Sequence, residues 1–460
     1  MFKKHEIKSL IIIALPLMAA FLAERGMEFI DTIMMGWIGP TALAAGAIGT
    51  VLFGTIVLFC LGVLSAIGVF IVQAKGADNI GDIKFTMQHG FCLALLLSIP
   101  GMLIIWFIPH VLLSIGEDPL VVVNTKLLLH GMVWGFPGFL LFLVLREFTA
   151  AFSLTLVVMI ISFFSIPLTF IANYILIYGK YHFPELGIAG IGYGGSIVMW
   201  FMFISLLIYT KKHPLLNLHI RLRPFKFDYV KFKDMLFIGI PSGSLFLLES
   251  SMFLSTTLLM GYFGVAALAA HQIAFQCVNI AYTLPVSLSM ATALQVGHAS
   301  GAKNYIQAQR TALFSFSIVF LTSALIAIPF IFFSNFIITL FLEKGAYNFK
   351  EVNQFATTFI KIAALFLCFD AMQSVANGAL RGLKDTFVPM LLSIGCYWVL
   401  GIGGAYYFSN YTYLGARGIW YGLSLGLCSS ATLLVFRFFK KIRMEKNNYI
   451  SGMPKKLFVN

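Results

Sequence analysis

Apolar residues run along this chain in long stretches, each closed by a short segment carrying Gly, Pro, Asn or charge. A helix needs about 20 apolar residues to cross the hydrocarbon of a bilayer. The pattern predicts spans near 9–35, 42–73, 86–109, 120–145, 154–178, 187–210, 235–261, 267–296, 309–341, 351–379, 386–408 and 415–438. The interruptions include Ile38-Gly39-Pro40 and Gly116-Glu117-Asp118-Pro119, residues that turn a chain. No stretch alternates with period two over enough ten-residue segments for a β-barrel. The opening run Leu10–Leu22 leads into more helix without a small-residue cleavage site, so it reads as a first span and not as a removable signal. The expected fold class is all-α integral membrane, with twelve helices.

The twelve divide into six and six, because the second half repeats the first at an offset of 225. Pro16 matches Pro241, Glu24 matches Glu249, Met35-Gly36 matches Met260-Gly261, and Ala42-Leu43-Ala44-Ala45 matches Ala267-Leu268-Ala269-Ala270. A second block, Leu186-Gly187 to Tyr193-Gly194, matches Leu414-Gly415 to Tyr421-Gly422 at offset 228. Six spans per half give both halves the same orientation, hence a pseudo-two-fold axis along the membrane normal. The expected organisation is an N-terminal lobe 1–210, a basic cytoplasmic linker 211–234, a C-terminal lobe 235–440 and a cytoplasmic tail 441–460.

Composition agrees with the pattern: 60% of residues are hydrophobic, 11% are charged, and the mean hydropathy is +0.92. With both termini cytoplasmic, the inside segments hold 24 of the 31 Lys and Arg, as the positive-inside rule requires. The net charge of +13 is then topology and attraction to anionic lipid, and no nucleic-acid partner is expected. The six cysteines fall inside spans without CxxC or CxxH spacing and read as packing residues. No phosphate-cradling or dinucleotide motif occurs, nor any nucleophile–base pair or HExxH, so neither ATP-driven pumping nor an enzyme is expected, and no cofactor.

Chemistry must then lie in polar groups inside the spans, where an ionisable residue is costly. Glu24, Glu28 and Asp31 stand at i, i+4 and i+7 on one face of the first helix, with Arg25 beside Glu28. Glu249 lies mid-span in the seventh helix, and Asp370 lies in the tenth with Lys361 earlier on the same helix. Buried carboxylates can take up and release protons near neutral pH. With other oxygens they can also hold a hard cation such as Na+. The plain alternative is packing: Arg25–Glu28 as an ion pair that fixes the helix. Further candidates are Asn173 on the fifth span and Gln272, Gln276 and Asn279 on the eighth, while His271 reads first as a packing histidine. Pro16 and Pro241 each stand eight residues before a glutamate, where a kink could link protonation to bending.

Phe29-Ile30-Asp31-Thr32-Ile33-Met34-Met35-Gly36 resembles the signature of multidrug and toxic compound extrusion (MATE) transporters. So do Leu248-Glu249, Leu268-Ala269-Ala270-His271-Gln272-Ile273, and Asp370-Ala371-Met372-Gln373 with Gly378-Ala379-Leu380-Arg381-Gly382-Leu383-Lys384-Asp385. The match extends over nearly the whole chain and is similar to the NorM-like bacterial branch. The resemblance implies two six-helix lobes, a V-shaped cleft, and export of cationic drugs against a Na+ or H+ gradient. It also implies that Asp31 is the acidic position of the N-terminal lobe, that Glu249 and Asp370 are the cation-site carboxylates of the C-terminal lobe, and that Asn173 is an N-lobe polar position. The chain departs at Thr169, at the apolar Leu367-Cys368-Phe369 and in the extra acids Glu24 and Glu28, which leaves the coupling ion open.

The expectation is therefore a secondary active antiporter of the bacterial cytoplasmic membrane, monomeric, exporting cationic amphiphiles. Na+ at Glu249 and Asp370, or H+ at Asp31, would drive it. The alternative is a flippase of lipid-linked precursors in the same superfamily.

Overall fold

The computed structural model describes residues 4–220, 227–342 and 349–451. Of the expected linker, 221–226 lie outside the described residues, as do 452–460 of the expected tail. Every regular element among the described residues is helical. The first half carries α1 (Lys4–Ile38), α2 (Pro40–Gly76), α3 (Ile80–Ile115), α4 (Pro119–Met132), α5 (Phe136–Ala151), α6 (Leu156–Tyr178) and α7 (Ile188–Lys212). A short α8 (Pro214–Ile220) precedes α9 (Tyr229–Gly261), α10 (Val265–Gly301), α11 (Tyr305–Phe332), α12 (Ser334–Thr339) and α13 (Phe349–Gly382). The chain ends with α14 (Phe387–Ile394), a π-helical turn (Gly395–Ile402), α15 (Gly403–Asn410) and α16 (Ala416–Ile450).

Eleven helical segments among the described residues are long and apolar enough to span a membrane, and α4 with α5 makes up a twelfth span bent by 50°. The bend breaks the span expected at 120–145. Its cause is local: Pro137, in the first turn of α5, has no N–H to continue the ladder from α4. Pro16 and Pro241 lie inside α1 and α9 as expected. Helix α16 continues to Ile450 through part of the expected tail, held by Tyr305 on α11, whose ring meets Tyr449 edge-on at 6.1 Å.

Duplication extends to backbone torsions. Asp78 and Lys303 adopt φ of 52° and 55° in matching turns. The asparagines that follow cap α3 and α11: Asn79 Oδ1 accepts from Asp82 N–H at 3.2 Å, and Asn304 Oδ1 from Gln307 N–H at 3.1 Å. Gly187 (φ 53°, ψ −129°) and Gly415 (φ 52°, ψ −133°) open α7 and α16 in a conformation that a Cβ would forbid, which accounts for the repeated Leu-Gly.

The chain forms two compact units, one of Leu15–Gly243, the other of Met1–Ala14 with Ser244–Asn460. In the first, α7 packs on α4, α5 and α6. In the second, α13 is the central helix, packed on α10, α11 and α16 around Trp420, Phe359 and Phe366. All six cysteines are free, with Cys60, Cys277 and Cys396 buried.

Candidate functional site

The acidic stripe of α1 divides among three environments in the Leu15–Gly243 unit. Arg25 and Glu28 pair at 2.7 Å as expected from their spacing, but with side chains 62% and 59% exposed they do not form a buried lock. Glu24 is 19% exposed and faces Arg146 Nη1 at 3.4 Å. Arg146 is 1% exposed within α5, over the Phe21 ring at 5.1 Å. The step of 40° between i and i+4 is enough to turn Glu28 outward while Glu24 stays against α5.

Asp31, one turn further along, is half-buried and meets Asn173 of α6, whose Nδ2 donates to Asp31 Oδ1 at 2.7 Å. Asn173 is fully buried, and its Oδ1 has no hydrogen-bond partner. A Cβ on Gly194 of α7 would lie only 2.1 Å from that oxygen. Gly194 thus makes the space in which Asn173 turns its amide toward Asp31. Thr169, one turn before Asn173, closes onto its own helix, donating to Ser165 O at 2.8 Å.

A second constellation lies within the other unit. Glu249 is half-buried on α9, and Tyr282 of α10 donates toward its Oε2 at 3.5 Å. Asp370 on α13 is 1% exposed, and its carboxylate is near enough to Glu249 for their charges to act on each other. Gln373 Nε2 donates to Asp370 Oδ1 at 3.1 Å, and the Tyr397 hydroxyl donates to Gln373 Oε1 at 2.7 Å. Lys361 is exposed, half a helical turn in phase away from Asp370, so it lies on the opposite face of α13. Two carboxylates and a phenol form a set of hard oxygen donors, with the Gln373 amide donating to one of the carboxylates, suited to an alkali cation or a shared proton.

Gln272 and Gln276 are exposed and Asn279 half-buried; the residue that α10 brings to Glu249 is Tyr282, three positions beyond Asn279. Tyr282, Gln373 and Tyr397 were not singled out in the sequence. Gln373 is within the quoted Asp370-Ala371-Met372-Gln373 motif, and Tyr282 stands on the next turn after the Gln272–Asn279 series, so a polar side chain at the right phase was the available signal. His271 is fully buried, its Nε2 2.9 Å from Thr257 Oγ1 and its ring 5.4 Å from Trp420. Asp385, at the end of the second motif, pairs with Arg437 Nε at 2.8 Å and ties the end of α13 to α16.

Fold and polar groups together define a multi-pass helical membrane protein, built as a duplicated bundle with buried or half-buried acid in each half. The MatE family profile matches residues 16–175 and 241–407, the two repeats found in the sequence, and the chain belongs to that family. It is 36% identical to a probable multidrug resistance protein NorM of Pseudomonas aeruginosa, over 94% of this chain and 89% of that one. A protein of the same description from Synechocystis is 31% identical, with 96% of both chains covered. In fold it is similar to the crystal structure of the eukaryotic MATE transporter AtDTX14, with a TM-score of 0.85 at 22% identity over 96% of this chain and 99% of the other.

Proposed function

We propose that this protein is a secondary active multidrug efflux antiporter that exports organic cations in exchange for Na+ or H+. It would act as a monomer in a bacterial cytoplasmic membrane, with both termini in the cytoplasm. The observation that carries the reading is that Glu249, toward which Tyr282 donates, and Asp370, to which Gln373 donates, lie within reach of each other's charge in one unit. Two like charges cannot remain buried near each other unless a proton or a cation is shared between them. Such a site fills and empties with the ion gradient. An ion bound in one conformation more tightly than in another shifts the balance between them. Asp31 with Asn173 offers a second place for a proton, in the other repeat. The NorM relatives are described as multidrug resistance proteins, which supports drugs as the exported class. The 47 phenylalanines and 19 methionines supply the adaptable apolar and cation–π surface that flat organic cations need.

The test is efflux of ethidium from cells expressing the full chain, with Asp370→Asn and Glu249→Gln as variants. Both variants should insert normally and lose efflux. Wild-type efflux in both sinks the assignment. Added Na+, or a collapsed proton gradient, identifies the driving ion.

A further inference from the structure

The span Phe387–Asn410 contains a π-helical turn at Gly395–Ile402, and the reason for it is visible in its burial pattern. Pro389, Ser393, Tyr397, Gly401, Ala405 and Ser409 are buried at four-residue steps, with Cys396 buried beside Tyr397, while Trp398, Val399 and Leu400 are exposed. In an α-helix each four-residue step overshoots a turn by about 40°, so six such positions would wind away from one face. A π turn closes i→i+5, so the same step undershoots there and cancels the drift. The stripe therefore stays against its neighbours. A Cβ on Gly401 would lie 2.9 Å from Met252 Sδ of α9, and one on Gly426 of α16 would lie 2.8 Å from Gly401 Cα. The π turn is thus clamped on two sides, and Tyr397, the largest side chain of the stripe, points from it into the interior, fully buried.

What it touches is Gln373. An ionised carboxylate only accepts hydrogen bonds, so Gln373 serves Asp370 only when its Nε2 faces it. The amide is symmetric in shape and can turn over. The Tyr397 hydroxyl donates to Oε1 at 2.7 Å, while Nε2 donates to Asp370 Oδ1 at 3.1 Å, so one contact fixes the sense of the other. Without the phenol, Oε1 becomes a buried acceptor lacking a partner, and nothing opposes its turning toward Asp370. We propose that Tyr397 is a positioning residue for the cation site, acting through Gln373 to hold Asp370 as an acceptor for the driving ion. This rests on the ion-driven reading above.

Full-length protein in proteoliposomes decides it, with ethidium efflux followed against NaCl concentration at fixed pH and against pH at fixed NaCl. Tyr397→Phe keeps the ring and removes the hydroxyl. Partners of ion ligands typically alter affinity 10–100-fold. The half-saturating concentration of the driving ion should move by about tenfold in Tyr397→Phe, with the ethidium KM and the rate at saturating ion kept. Gln373→Met should give the same displacement, and the double variant should be no worse than Gln373→Met alone, since the two act in series. An unmoved half-saturation in Tyr397→Phe, or effects that add, overturns the relay. If Tyr397→Phe does not reach the membrane, an unmoved half-saturation in Gln373→Met overturns it instead. A wild-type protein indifferent to both ions would sink the ion-driven reading itself, a result separable from the others.

Discussion

Glu24 and Glu249 occupy the same position in the repeated first helix of each half, yet Glu24 faces the Arg146 guanidinium at 3.4 Å and Glu249 a tyrosine hydroxyl at 3.5 Å. One sequence position has become an ion pair in one repeat and a member of an acidic site in the other. The difference lies in what the neighbouring helix presents: an arginine on α5, a tyrosine on α10. A glutamate beside a permanent cation is held as its counter-ion, whereas one beside another carboxylate is left open to a mobile cation.

Glu24 therefore has a structural duty that variants can expose. Arg146 is 1% exposed, and its Nε and Nη2 have no hydrogen-bond partner, so Glu24 is its counter-charge. Removing one partner of a buried pair leaves an uncompensated charge and costs about 3 kcal/mol. Glu24→Gln should lower the thermal midpoint of the purified protein, and Glu24→Gln with Arg146→Met should recover most of the loss. A single variant as stable as wild type would refute the counter-charge role.

Gly194 and Gly195 offer a paired test of the Asp31 site. A Cβ on Gly194 would fall 2.1 Å from Asn173 Oδ1, while one on Gly195 would meet nothing within 4 Å. Gly194→Ala must push the Asn173 amide off Asp31, and Gly195→Ala leaves it in place. Ethidium efflux should fall severalfold in the first and stay near wild type in the second, at equal membrane amounts. Equal activity in both would mean that the Asn173–Asp31 contact has no part in transport.

The architecture was legible because its driving force is crude: about 20 apolar residues in a row span a bilayer wherever they occur. Pro16, Gly187 and the repeated Ala-Leu-Ala-Ala kept the duplication visible for the same reason, since turns and close packing tolerate few substitutes. The acids of α1 were legible as a stripe but not in their partners, because Arg146 and Asn173 arrive from helices 122 and 142 residues away. The break between α4 and α5 needed only Pro137 but was hidden by unbroken hydropathy. The π turn carries no residue signature; its trace is the period-four series from Pro389 to Ser409.

The start of α9 is latched to α3 within the Leu15–Gly243 unit. Asp228 N–H donates to His89 Nε2 at 3.1 Å, and the His89 ring stacks on Phe85 at 3.9 Å and lies 5.3 Å from Phe227. Lys231 and Asp82 pair at 2.6 Å, but both are over 40% exposed, and such pairs contribute about 1 kcal/mol or less. His89→Ala should therefore open the segment to trypsin at Lys231 and Lys233 many times faster than in wild type, and Asp82→Asn only slightly. The reverse order would assign the latch to the ion pair.

Asp370 and Asp385 lie on one stretch of residues along α13 and its exit, yet the structure gives them opposite work. Asp385 accepts from Arg437 Nε at 2.8 Å, a contact between fixed charges, while among the described residues Asp370 accepts from an amide and lies within reach of the charge of a second acid. An ion that binds the folded protein raises its stability by RT ln(1 + [L]/Kd), about 1.4 kcal/mol at ten times Kd. The thermal midpoint of wild type should rise with the driving ion. Asp385→Asn should lower the midpoint by the loss of a charge-assisted bond, about 1.5–3 kcal/mol, and keep the ion-dependent rise. Asp370→Asn removes a buried charge whose desolvation opposes folding, so its midpoint without the ion should equal or exceed that of wild type, with the rise abolished. A rise that survives in Asp370→Asn and vanishes in Asp385→Asn would move the ion site to the far end of α13.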